Sequence, residues 1–305
     1  MLKTKPKVMI YVMEAYDYRK IDAFTSCDSL GNPAACIYLS AGQTLTNDEM
    51  LNIAKQHKGF VSEVIFCIAK SQSAFSLTYY SSECEVDFCG HGTIACMYTL
   101  VKETPDLLRQ KEIAIYTNKK GALTVFNEVE TQDAVYITAP SPEYIGLEVD
   151  IGKIAENMSL NVNQISTSHP IEIIDAGLRT LIIPIVALND EISVFPDEMI
   201  LKKFYSECGI DIILIYTLET ANPQNIAHTR VFAPKFGYLE DPATGSGNSA
   251  FGYYMLKNNL WDGKPVSIEQ GGIDRVFNIV NLTYKDKRVL FGGSATTRIK
   301  GVYYL

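Results

Sequence analysis

The sequence lacks most of what marks a metal-binding, nucleic-acid-binding or membrane protein. It has only four histidines, and its seven cysteines (27, 36, 67, 84, 89, 96 and 208) contain no Cys-x-x-Cys pair. No zinc site is expected from such scattered donors. An odd set of unpaired thiols is expected to stay reduced, as in a cytoplasmic protein. Positive charge is also scarce: the net charge is −8 and the pI near 5.1, so no basic face is available for nucleic acid. No apolar run reaches the roughly 18 residues a membrane-spanning helix needs. Near the N-terminus, Val8 to Met13 follows Lys3, Lys5 and Lys7, but this apolar stretch is too short for a signal sequence and has no small-residue cleavage site. It is read as a short extension or cloning remnant.

What remains is a soluble globular composition, 47% hydrophobic and 20% charged with a mean hydropathy of +0.03. A length of 305 residues suits two domains of roughly 150 residues each.

The most informative stretch is Glu240-Asp241-Pro242-Ala243-Thr244-Gly245-Ser246-Gly247-Asn248-Ser249-Ala250, two acids and a Gly/Ser turn that open onto an apolar run. Gly245 and Gly247 leave room for backbone amides to face a cavity. A helix starting near Ser246 adds unpaired N–H groups and a positive dipole end, which suits a carboxylate or a developing enolate. Taken alone, the stretch reads more readily as an ordinary helix cap. An earlier copy changes that balance. Cys89-Gly90-His91-Gly92-Thr93-Ile94-Ala95 runs parallel to Thr244-Gly245-Ser246-Gly247-Asn248-Ser249-Ala250 at an offset of 155 residues, about half the chain. Two copies point to two related halves, each presenting a helix start to a shared cleft.

The rest of the chain reads as alternating strands and helices. A strand is expected from Tyr18, broken at Asp28 to Pro33 and resumed over Ala34 to Leu39; Asn32 in that corner is either a turn residue or an amide facing a ligand. Thr46 and Glu49 form a capping box for a helix that ends near Gly59. Phe60 to Phe66 reads as an apolar strand holding one acid, Glu63, whose pKa burial would raise. A solvated strand face is the plain alternative. Further helices are expected at about Thr93 to Lys102, Val149 to Met158, Pro196 to Cys208 and from the second glycine motif to Lys257. Three final strands are placed near residues 266–268, 276–280 and 289–292. Pro140-Ser141-Pro142 is the best boundary signal.

From about Tyr18 onward the sequence resembles the PhzF-like isomerases of phenazine biosynthesis, within the diaminopimelate epimerase-like fold. The resemblance is carried by Ile21-Asp22-Ala23-Phe24-Thr25 with Gly31-Asn32-Pro33-Ala34, Ser62-Glu63, Cys89-Gly90-His91, Gly177-Leu178-Arg179, Arg230-Val231-Phe232-Ala233-Pro234, the Glu240 to Ser246 stretch and Gln270-Gly271. It implies an α+β fold of two similar barrel-like halves, each wrapping a central helix. They would span 14–139 and 140–305, with the last strands able to return to the first half. It also implies Glu63 as the general acid/base, with His91, Asp241 and Ser246 holding and polarising the substrate. Asn32, Gly90, Gly92, Thr244, Gly245 and Gly247 would bind a small carboxylate. No metal, nucleotide or pyridoxal cofactor is implied, and a homodimer is. Val64, Gly92 and Gly247-Asn248 depart from the usual pattern beside the pocket, which bears on substrate identity more than on reaction type. Two other readings stay open. One is a thiol racemase or epimerase using Cys89, although its second thiol would fall at Thr244. The other is a carboxylate-binding protein that never uses Glu63.

Overall fold

The computed structural model describes residues 13–146, 150–272 and 276–305. The N-terminal stretch before Met13, and Val149 at the expected start of a helix, lie outside the described residues. The fold is mixed α/β, built on a large mixed sheet.

Pairing begins with Ala15–Ala23, which lies antiparallel to Asn32–Leu39, and that strand runs parallel to Glu63–Ser71. Glu63–Ser71 pairs antiparallel with Ala74–Ser81, which runs parallel to Glu112–Thr117; Gly121–Glu128 and Ala134–Thr138 then follow, antiparallel. The same succession recurs later in the chain. Glu172–Asp175 is antiparallel to Arg179–Pro184, which is parallel to Ile212–Thr217. Ile212–Thr217 is antiparallel to Ala227–Phe232, which is parallel to Val266–Gln270, and Asn278–Lys285 and Arg288–Gly293 complete the series antiparallel. Ala134–Thr138 joins the two series by pairing with Arg288–Gly293.

Among the described residues the last four elements are strands, rather than the three expected. The fourth, Ala295–Tyr304, pairs with Ala15–Ala23 and so lies in the sheet of the N-terminal strands. Its polar, mostly exposed pattern hid it, because an edge strand buries too little to alternate.

Each series packs against one helix. In Gly90–Glu103 nearly every residue from Gly92 to Val101 is buried, and Gly245–Lys257 is buried almost continuously from Gly247 to Met255. A helix apolar on all sides belongs in a core rather than on a surface. By contrast, Asn47–Gln56 is amphipathic and lies outside, its start closed by the expected capping box: the Thr46 amide donates to Glu49 Oε2 at 2.7 Å, and Thr46 Oγ1 accepts from the Glu49 amide at 3.2 Å. Among the described residues no helix is long and apolar enough to cross a membrane.

Candidate active site

The helices Gly90–Glu103 and Gly245–Lys257 start beside each other, both against the Phe291 ring. Both begin at a glycine, earlier than the sequence suggests, because Cys89 and Thr244 take the extended cap position. A Cβ on Gly245 would lie 2.4 Å from a Phe291 ring carbon, and one on Gly90 would lie 3.1 Å from it. Gly92 is confined by Ile65 and the Cys89 sulfur, and Gly247 by Ile212 and Val231. All four glycines therefore have a packing reason besides any role in presenting amides. The helix starts differ in one respect. Cys89 Sγ caps its helix by accepting from the Gly92 amide at 3.2 Å, whereas the Thr244 side chain makes no cap bond. The first-turn amides of Gly245–Lys257 also have no acceptor within their own helix, so this end is left open to an anion.

Glu63 stands at the mouth of its strand, as the first residue of Glu63–Ser71 and not inside it, since Phe60 to Ser62 lie outside any strand. Its side chain is only 18% exposed. Burial raises its pKa to about 7; the negative charge of Asp241 adds to this, and a hydrogen bond from the Cys89 thiol opposes it. His91 Nε2 lies 3.3 Å from Glu63 Oε2. Burial lowers the His91 pKa to about 4, against the pull of the Pro33 carbonyl, so the imidazole is neutral near pH 7 and the contact is not an ion pair. Cys89 Sγ lies 3.7 Å from Glu63 Oε2 and 3.5 Å from His91 Nδ1. Burial, and then the neighbouring Glu63 charge, raise its pKa well above the usual thiol value, although the Gly92 amide favours the thiolate. At neutral pH it is a thiol.

Asp241 comes from the other series of strands and is held from several sides. Asn32 Nδ2 donates to Asp241 Oδ1 at 2.7 Å and to the Ala243 carbonyl at 2.8 Å, and the Thr244 hydroxyl donates to Asp241 Oδ2. Burial nevertheless outweighs these bonds and raises the Asp241 pKa to about 7. Asn32 Oδ1 is buried without a hydrogen-bond partner among the described residues.

Sequence reasoning named Gln270 only as a carrier of the resemblance and missed Asn278, yet these two residues fix this loop. Gln270 Oε1 accepts from the Thr244 amide at 2.8 Å and from Asn248 Nδ2 at 2.7 Å, while Gln270 Nε2 donates to the Asp241 carbonyl at 2.9 Å. Asn278 Nδ2 donates to the Pro242 carbonyl at 2.7 Å, and Asn278 Oδ1 accepts from the Gly31 amide at 2.8 Å. Asn248 is therefore a structural partner of Gln270, fully buried, rather than a free pocket group. Tyr238 is a further neighbour: burial and then the charges of Asp241, Glu63 and Cys89 raise its phenol pKa. A single tyrosine after Pro234-Lys235-Phe236-Gly237 carries no local signal of that position.

Of the residues named from sequence, Glu63 contacts His91, and Asn32 and Thr244 contact Asp241, the two groups being linked by the Asp241 charge acting on Glu63. Gly90, Gly92, Gly245 and Gly247 form the two helix starts. Ser246, half-buried, occupies the second position of its helix, the place His91 holds in the other.

A profile of the phenazine biosynthesis-like protein family (PhzC-PhzF) matches residues 21–301. The Bacillus subtilis (strain 168) protein named uncharacterized isomerase YfhB is 30% identical over 266 residues, covering 85% of this chain and 87% of its own. Among solved structures, a Bacillus anthracis phenazine biosynthesis protein of the PhzF family superposes with a TM-score of 0.83 at 24% identity, covering 96% of this chain and all of that one. A hydroxyproline epimerase from Agrobacterium vitis, solved with trans-4-hydroxy-L-proline, shares the fold at a TM-score of 0.56 and 13% identity, covering 95% of this chain and 93% of its own. The chain belongs to the phenazine biosynthesis-like (PhzC-PhzF) family.

Proposed function

We propose that this chain is an isomerase that moves a proton on a small carboxylate substrate without a cofactor, with Glu63 as the single general acid/base. The observation that carries this reading is the position of Glu63. It is a mostly buried carboxyl with a pKa raised to about 7, beside neutral His91 and electrostatically coupled to Asp241. A group whose pKa lies near the operating pH can both remove and return a proton. One such group suffices when the proton leaves and re-enters on the same face of the substrate.

The other parts have matching roles. The open first-turn amides at Gly245, Ser246 and Gly247 receive the substrate carboxylate or the developing enolate. His91, uncharged, and Asp241, which holds a proton for part of the time near pH 7, polarise the substrate by hydrogen bonds. Asn32 Oδ1 offers a buried acceptor to a substrate donor. The repeated strand pairings support two similar barrel-like halves, 14–139 and 140–305, with the site between them. A homodimer in the cytoplasm is the setting we infer for it.

The thiol alternative has less support: Cys89 is held as a neutral thiol, and its counterpart Thr244 directs its hydroxyl to Asp241. The test is Glu63→Gln, which keeps the shape and removes the base. Exchange of substrate hydrogen with D2O should be abolished while ligand affinity stays within about tenfold, or roughly 1.4 kcal/mol. Exchange as fast as in the unaltered protein would refute the assignment. Ligand binding with no exchange in the unaltered protein would make it a binding protein.

A further inference from the structure

We propose that Glu63, Cys89 and His91 form a binding site for one zinc-class divalent cation, and that its occupancy silences proton transfer at Glu63. The first part stands on donor geometry. Cys89 Sγ is 3.7 Å from Glu63 Oε2 and 3.8 Å from His91 Nε2, and His91 Nε2 is 3.3 Å from Glu63 Oε2. All three ligand atoms lie within 4.8 Å of one another. Tetrahedral zinc, with bonds of about 2.3 Å to sulfur and about 2.0 to 2.1 Å to nitrogen and oxygen, holds its ligand atoms about 3.3 to 3.6 Å apart. The spacings of the three donors thus match those of tetrahedral zinc to within a few tenths of an ångström; because Cys89 Sγ also lies 3.5 Å from His91 Nδ1, the imidazole turns on binding to aim one nitrogen at the cation.

The chemistry of the donors agrees with the spacing. One sulfur, one imidazole nitrogen and one carboxylate oxygen suit zinc and its neighbours rather than magnesium or calcium. On binding, the Cys89 proton leaves to solvent; thiolate and carboxylate together then balance a doubly charged cation, so the buried site is neutral. A bare cation would be repelled by the helix start, but that same helix start favours the thiolate, whose sulfur already accepts from the Gly92 amide at 3.2 Å. The Pro33 carbonyl interacts with the His91 ring, the kind of outer contact that orients a ligating imidazole. Three protein donors leave the fourth position for water or a substrate oxygen. The histidine count argued against zinc because such counting searches along the chain, whereas these ligands come from two separate segments.

The silencing half rests on the reading of Glu63 as the base: a carboxylate bound to a cation cannot accept the substrate proton. The experiment uses chelator-treated full-length protein titrated with Co2+. One equivalent should produce the intense visible bands of four-coordinate cobalt and a thiolate-to-cobalt charge-transfer band, both displaced by Zn2+. Cys89→Ser should lose the charge-transfer band, and Glu63→Gln and His91→Gln should weaken Co2+ binding about tenfold or more. Replacing the exposed thiols Cys27 and Cys84 by serine should leave the spectrum unchanged. Circular dichroism shows whether each variant is folded. A charge-transfer band that survives in folded Cys89→Ser, or its absence from the unaltered protein, would overturn the cation site. Hydrogen exchange should fall in proportion to cobalt occupancy. Full occupancy with undiminished exchange would overturn the silencing and the role of Glu63 while leaving the cation site intact, and a protein with no exchange at all still permits the spectroscopic test.

Discussion

Asn32 donates to Asp241 at 2.7 Å, joining two residues 209 positions apart and tying the first series of strands to the loop that opens the helix Gly245–Lys257. This bond favours the ionised form of Asp241 and partly offsets the burial that raises its pKa. Glu63 and Asp241 both have pKa values near 7 and interact, so the acid limb of activity belongs to the pair rather than to either residue. We expect kcat/KM for proton exchange to rise with pH through about 7 as the base ionises. Asn32→Ala removes a donor from the carboxylate, so the Asp241 pKa should rise further; with less negative charge then beside Glu63, the acid limb should move to lower pH. A pH profile of exchange for both proteins checks this; a limb that moves up or stays fixed would contradict it.

Cys89→Ser separates the one-carboxylate reading from the two-thiol one. Serine can still accept from the Gly92 amide, so the cap should survive. Exchange should fall by less than about tenfold, whereas loss of a general base costs roughly a hundredfold to ten-thousandfold. A loss of that larger size in a folded variant would favour the thiol alternative.

Gly245→Ala tests the approach of the second helix to Phe291. The added Cβ would meet the ring at 2.4 to 2.5 Å, too close for any relaxed contact, whereas at Gly90 the approach is 3.1 Å. Overpacking of this kind costs about 1 to 3 kcal/mol. Urea denaturation should show Gly245→Ala losing more stability than Gly90→Ala, and Phe291→Leu should restore part of the loss in a double-mutant cycle. An equal loss at both glycines would contradict this packing account.

Away from the site, Glu191 and His228 are both fully buried, with His228 Nδ1 3.0 Å from Glu191 Oε2 and His228 Nε2 donating to the Gly271 carbonyl. Burial raises the Glu191 pKa from 4.5 to about 7, partly opposed by His228; His228 is raised as well, by Glu191 acting against its own burial. Both shifts are upward, so the folded chain holds these protons more tightly than the unfolded chain. The stability they contribute is fully present below about pH 4.5 and is lost as pH rises through about 7. Melting temperatures compared at about pH 5 and about pH 8 should show a smaller decline in Glu191→Gln than in the unaltered protein. A steeper decline in the variant would show the sign to be wrong.

Much of the site was legible because its signals are local. The two glycine motifs stand at a fixed offset, the Thr46 and Glu49 box marks a helix start, and an acid in Val-Ser-Glu-Val-Ile-Phe is visibly set among apolar neighbours. Each depends on residues adjacent along the chain, where side-chain type and spacing are enough to decide the outcome. Tertiary structure alone decided the rest. That Gln270 and Asn278 clamp the Asp241 loop, that Tyr238 lies near both acids, and that Ala295–Tyr304 pairs with the first strand all depend on segments brought together by long-range pairing. The proton affinity of Glu63 also divides this way. Its apolar flanks foretell burial, but the added push from Asp241 exists only because folding removes water between two carboxyls that lie 178 residues apart in the sequence.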